Sequence, residues 1–155
     1  HIPAGYRRFD GATRSHVGAD LAMEYFLNDD VTLWLNTSWL SQNEWIPGES
    51  NDDGLPFSSY LNSPKMKYRA GAQYSKDKVR AAVAYQHDDA FYANQGLFSG
   101  DVQEKNLFDV NVGYNVSDNL KLDLSATNVF DQEYRAFPNM PVIGRRTVLK
   151  LTFDY

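Results

Sequence analysis

The sequence predicts an all-β protein, the antiparallel wall of a transmembrane β-barrel with about seven strands, and three observations predict it. Seven segments carry apolar residues at every second position. Tight turns and long loops take turns between those segments. Tyrosines gather toward the end where the tight turns lie.

The segments with a period of two run over residues 14 to 27, 31 to 42, 65 to 75, 78 to 90, 105 to 116, 119 to 130 and 144 to 155. In the first two, the apolar face is Val17, Ala19, Leu21, Met23, Tyr25 and Leu27, then Val31, Leu33, Leu35, Thr37 and Trp39. Met66, Tyr68, Ala70, Ala72 and Tyr74 follow, with Val79, Ala81, Val83 and Tyr85 after them. The last three faces are Phe108, Val110, Val112, Tyr114 and Val116; Leu120, Leu122, Leu124 and Ala126; and Thr147, Leu149, Leu151, Phe153 and Tyr155. None of these positions is charged, whereas the opposite faces carry Asp20, Glu24, Lys67, Arg69, Arg80, Asp109, Lys121, Asp123, Arg146, Lys150 and Asp154. A soluble sandwich alternates as well, with its apolar face inward. Alternation alone therefore leaves a soluble all-β binding module open.

The connections favour a barrel. Asn28-Asp29-Asp30, the turn around Ser75-Lys76-Asp77-Lys78, and Ser117-Asp118-Asn119 are short and built from residues that tolerate positive φ and bond their own backbone. The other links, about 43 to 64, 91 to 104 and 131 to 143, are long. Outer-membrane barrels have this asymmetry, with tight periplasmic turns and long external loops. Tyr25, Tyr74 and Tyr114 each precede a short turn, and Tyr155 closes the last strand at the same end, as members of an interfacial girdle would.

Composition narrows the function classes. A formal charge of -5 lacks the basic face that sequence-independent nucleic-acid binding needs, so no nucleic-acid partner is expected. There is no cysteine, which removes disulfide scaffolds, thiolate metal sites and cysteine nucleophiles. No stretch approaches the roughly 20 apolar residues of a membrane helix, and mean hydropathy is -0.52. A barrel remains possible, because it hides its apolar residues at alternate positions.

Seven crossings also break the even-strand rule of bacterial single-chain barrels. Residues 1 to 13 read as loop, and the chain opens at His1 without Met or an apolar leader. An open wall would leave two edges of unpaired N–H and C=O groups, each costing several kcal/mol in hydrocarbon. The expectation is a segment of a larger barrel, completed by further strands. A small self-contained eight-stranded outer-membrane barrel with a structural or adhesive role is the alternative.

No catalytic constellation emerges, and neither enzyme activity nor a cofactor is expected. The histidines are His1, His16 and His87, and nothing marks a nucleophile elbow or a phosphate-cradling glycine loop. His87-Asp88-Asp89 offers hard metal ligands, but consecutive residues on an extended chain point to opposite faces. Glu49, Asp52 and Asp53 with Gly54 lack the spacing of a calcium loop. No metal site is expected from either group. On the long loops, Trp45, Tyr60, Phe91, Tyr92 and Phe98 are candidate ligand-binding residues, with Arg135 or Arg145 supplying charge. Packing of the loops against one another is the competing use for the same rings.

The last third carries a resemblance. Thr127-Asn128-Val129-Phe130-Asp131-Gln132-Glu133-Tyr134 resembles the "TN-aliphatic-F-D-x-x-Y" element that precedes the final strand in TonB-dependent outer-membrane receptors. Gly144-Arg145 is similar to the "GR" that opens that strand, and Leu149, Leu151, Phe153 and Tyr155 to its alternating aromatic-terminated end. Asn62 to Lys67 is similar to the segment that re-enters the wall after a long loop, and Asn106 to Tyr114 to a later strand, so most of residues 62 to 155 is covered. The departure is Asp154-Tyr155, where the family more often has a basic or polar residue and Phe.

The resemblance implies the C-terminal part of a barrel of about 22 strands with a plugged lumen, in the outer membrane of a Gram-negative bacterium. It implies import of a scarce extracellular nutrient, such as a ferric siderophore, with energy relayed by TonB through an N-terminal region. The partners it implies are outer-membrane lipid, the plug and remaining strands of the same receptor, TonB and the small-molecule nutrient. Lys67, Arg69, Arg80, Asp109, Lys121 and Asp123 would then face the plug.

Overall fold

A computed structural model of the chain describes residues 14–49, 58–96 and 98–154. Its strands are β1 Gly18–Phe26, β2 Val31–Leu40, β3 Glu44–Trp45, β4 Ser59–Tyr60, β5 Met66–Lys76, β6 Val79–Asp88, β7 Phe91–Gln95, β8 Phe98–Val102, β9 Lys105–Ser117, β10 Leu120–Thr127 and β11 Arg146–Phe153. Seven of them form one sheet in the order β1-β2-β5-β6-β9-β10-β11, and every neighbouring pair is antiparallel. The seven expected strands are these seven.

Two hairpins, β3–β4 and β7–β8, stand on the first and second long connections, where the sequence predicts loop. The third long connection has one bridge, Tyr134 to Ile143. Five wall strands, β1, β2, β6, β10 and β11, are two to four residues shorter than expected at their loop ends. β10 stops at Thr127 because Asn128 takes a φ of 54°, which turns the chain out of the ladder. Asp52, Asp53, Gly54 and Tyr155 lie outside the described residues.

The short turns use the chemistry anticipated for them. Asn28 accepts the amides of Asp30 and Val31 on its side-chain oxygen, at 2.9 Å each, a turn closed by its own residue. Asp77 sits at φ 50° between β5 and β6, a conformation that short polar side chains tolerate. At the third turn the β9–β10 register shifts between Leu120 and Lys121, a bulge beside Asp118-Asn119.

Register places the uncharged rows on one side across the whole sheet. The row through Tyr25 continues through Leu33, Ala72, Val83, Val110, Ala126 and Thr147. Nothing among the described residues covers that face; Leu151 is 66% exposed. The buried side chains instead lie at the loop end or near it: Trp45, Pro64, Ala93, Val102, Leu107 and Asn128.

The same registers give a tilt. Relative to the Tyr25 row, Tyr74 on the third strand of the sheet lies two residues toward the short turns, Tyr114 on the fifth lies four, and Phe153 on the seventh lies six. That is one residue of stagger per strand. With a rise of about 3.3 Å per residue and strands about 4.8 Å apart, these four aromatics share one height if the strands lean by about 35°. Barrel strands lean by roughly that amount. Phe153 occupies the height at which the sequence reading put Tyr155.

Candidate functional site: the loop rim and the inner wall

The loop end is built by side chains that tie one connection to the next. Asn62, at φ 56°, presents its amide to the β7 backbone like a strand neighbour: its Oδ1 accepts the Asn94 amide at 2.7 Å, and its Nδ2 donates to the Asn94 carbonyl at 3.2 Å. Beside that link the rings of Tyr60 and Tyr92 meet with centroids 4.9 Å apart. The two hairpins thus join through a tyrosine pair, with Tyr60 half-buried and Tyr92 37% exposed.

The other loop aromatics are placed differently. Trp45 is 2% exposed, with the Arg14 guanidinium 6.0 Å over its ring and His16 edge-on at 6.1 Å. Phe91 is half-buried at the base of its hairpin opposite Val102, while Phe98 is 55% exposed. Arg135 donates to the Met140 carbonyl. It also lines a cleft of about 370 Å³ with Asp101, Gln103, Glu133, Tyr134 and Val142, between the second hairpin and the third loop.

The element around Thr127 to Tyr134 makes a knot at the foot of the third loop. Asp109 accepts the Asn128 amide at 2.8 Å, and the Asn128 side chain holds both the amide and the carbonyl of Gln132. Gln132 reaches back to the Asn106 amide and the Glu104 carbonyl. Asp131 accepts the Arg145 amide at 2.6 Å, and a Cβ at Gly144 would stand 2.9 Å from the same carboxylate oxygen. The Arg145 guanidinium points to the Val129 carbonyl at 3.5 Å. These residues anchor three strands to one another.

On the charged face, Arg80 and Asp123 meet at 3.2 Å across Gly113, which lies between them on β9. A Cβ at Gly113 would fall 2.6 Å from Asp123 and 3.0 Å from Arg80, so a larger residue there would push the pair aside. Lys121 pairs with Asp154 at 3.1 Å, and Arg69 donates to Gln86 at 2.5 Å. The Lys67 ammonium has no partner among the described residues; it borders a concavity of about 540 Å³ with Asp20, Ser38, Arg69, Gln86 and Asp88. Trp34 also lies on this face, over Gly71, where a Cβ would be 2.5 Å from the indole.

His87 and Asp88 point to opposite sides of the wall. His87 engages Asn106 and Asp89, whereas Asp88 pairs with Lys105 at 2.6 Å. No group of three His, Cys, Asp or Glu suited to a metal exists among the described residues.

Sequence reasoning missed Asn62, Asn94 and Gln132, whose partners lie far away in the chain. The local signs were an Asn two residues before Pro64 and the Thr127 to Tyr134 motif, which contains Gln132.

The sheet, its uncharged face and its lean define a segment of a β-barrel wall, and no helix among the described residues is long and apolar enough to cross a membrane. No protein-family model matches the chain, and neither does any curated protein. Solved structures do. The copper transporter OprC superposes at TM-score 0.62 and 16% identity over 90% of this chain and 23% of its own length. The ferric enterobactin receptor PfeA from Pseudomonas aeruginosa does so in one mutant at TM-score 0.64 and 15% identity, over 89% of this chain and 22% of the receptor. A second PfeA mutant, in complex with enterobactin, gives 0.61 and 16% over 88% and 22%. The fold is that of a segment of a TonB-dependent receptor barrel, and the chain spans between a fifth and a quarter of those proteins' length.

Proposed function

We propose that the chain is the C-terminal wall of a TonB-dependent receptor in a Gram-negative outer membrane, and that the receptor imports a scarce nutrient such as a ferric siderophore. The observation that supports this most is the pairing of a leaning, uncharged outer face with two joined aromatic hairpins at one end only. In this reading Tyr60, Tyr92 and Phe98 meet the cargo, Phe91 supports them, and Trp45 holds the first loop. Arg135 and Arg145 offer charge nearer the third loop. Lys67, Arg69, Arg80, Asp109, Lys121 and Asp123 face a plug, with Lys67 the side chain freest to bind it. TonB acts through a region outside this chain. Such a protein has no enzyme activity of its own.

The test is growth on limiting iron with a panel of ferric siderophores, comparing the parent strain with one lacking the full receptor and one lacking TonB. The expected result is loss of growth on at least one siderophore in both deletion strains. Unchanged uptake of every siderophore, or uptake that persists without TonB, would remove the proposal. Within the full receptor, Tyr60→Ala with Tyr92→Ala should weaken capture of the responsive siderophore about tenfold.

A further inference from the structure

The uncharged face ends at both sides, and the two ends are a measurable distance apart. Toward the short turns the first charged side chain on this face is Lys76, two residues beyond Tyr74 and paired with Asp30 at 2.8 Å. Toward the loops the first strongly polar side chains are His87 and Asn106, which face each other across β6 and β9. Asn106 lies eight residues above Tyr114 on its strand. Counted along the leaning strands, the stretch between these limits is about 25 Å high, the height of the apolar band of an outer-membrane barrel.

We propose that Tyr68, Tyr85, His87 and Asn106 form a docking patch for the lipid head groups of the outer leaflet, on the outside of the wall. The proposal rests on the outer-membrane reading above. Tyr68 stacks on His87 with centroids 4.9 Å apart and leans on Tyr85 at 5.8 Å. Tyr85 donates its hydroxyl to Asn106 Oδ1 at 2.6 Å, and His87 Nδ1 meets the same oxygen at 2.8 Å. The rings adjoin Ala70, Val83 and Val110 below, while the polar ends of Tyr85, His87 and Asn106 are satisfied together at one height. Polar groups satisfied by one another can border hydrocarbon, where unpaired ones are expelled. Aromatic rings with an apolar body and a polar end favour that boundary. The carboxylates beyond the patch are Asp89, bonded to His87, and Glu104, bonded to Asn106. They disfavour a bare anionic group and suit a hydroxyl-rich head group.

The chain contains no cysteine, so single cysteines can be placed in the full receptor, in its native outer membrane, once any others are replaced. An environment-sensitive fluorophore is attached at Val83, Val110, His87, Asn106 or the luminal Gln86, with quenchers carried on acyl chains or on head groups. Acyl-chain quenching should be at least twofold deeper at 83 and 110 than at 87 and 106, head-group quenching the reverse, and position 86 insensitive to both. A label at Glu104 reads the patch with its other members altered: His87→Leu with Asn106→Leu should raise acyl-chain quenching there at least twofold. Quenching at 87 and 106 like that at 83, silence to both quenchers, or no change at 104 would overturn the patch. Loss of acyl-chain quenching at 83 and 110 would instead overturn the membrane reading on which it rests.

Discussion

At the short-turn end, Asn28 closes its turn with bonds to residues two and three positions away. At the loop end, Asn62 reaches Asn94 across 32 residues, and Gln132 reaches Asn106 across 26. The chemistry is the same, a carboxamide replacing a missing backbone partner. What differs is the distance along the chain. Local bonds close the first turn by itself, although Lys76 ties the second turn to it through Asp30, while remote carboxamide bonds join the loops into a single rim. The proposed receptor would use both, because a turn need only reverse the chain whereas a rim would hold rings in register for a ligand.

The contrast depends on a membrane-bearing belt between the two ends, and the largest expected effect tests that belt. Leu124 lies midway along it, whereas Leu122 pairs with Tyr114 near the short-turn boundary. Leu124→Arg should destabilise the folded full receptor by about 2–4 kcal/mol in vesicles, and Leu122→Arg by clearly less, read by denaturant titration. Equal costs would mean that the strands do not lean as the registers indicate. Next in size is Gly71→Val, which forces a Cβ to within 2.6 Å of both the Trp34 ring and the Val83 carbonyl. Overpacking of this kind costs about 1–3 kcal/mol. Adding Trp34→Ala should restore only part of it, since the carbonyl cannot give way; full recovery would show the ring to be the sole obstacle.

The ends themselves are compared by Asn28→Ala and Asn62→Ala. Each removes two bonds, for about 1–2 kcal/mol. Hydrogen exchange should quicken only at Asp30 and Val31 in the first variant. In the second it should quicken at Asn94 and through both hairpins. Confinement of the Asn62→Ala effect to residue 62 would break the idea of a single rim.

The comparison also explains what could be read in advance. The seven wall strands were legible because a face that meets one solvent must repeat every two residues, and the tight turns because their turn-forming residues are adjacent in the sequence, as in the bonds that close the first one. The hairpins β3–β4 and β7–β8 were not, since a strand of two to five residues carries too little alternation to separate from loop. Among the candidate rings, Tyr60 and Tyr92 were findable as loop aromatics, but their contact was not, because it is set by Asn62. Trp45 looked like an exposed anchor and is buried, covered by Arg14 and His16 from a segment read as the start of a strand. The knot at Asn128 was visible as a motif and opaque as a mechanism, because Asp109 lies on a different strand.

The smallest expected effect concerns the inner wall. Arg80 and Asp123 are 46% and 31% exposed in this wall, and an ion pair open to water contributes about 0–1 kcal/mol. A double-mutant cycle with Arg80→Gln and Asp123→Asn in the full receptor should therefore return a coupling below about 1 kcal/mol if the lumen beside Gly113 is wet. A plug seated on the pair would remove that water, and breaking one partner would leave the other charge buried and unpaired. Coupling above about 2 kcal/mol would thus place the plug against this point of the wall. Coupling near zero would leave Lys67, higher on the same face, as the better candidate for its contact.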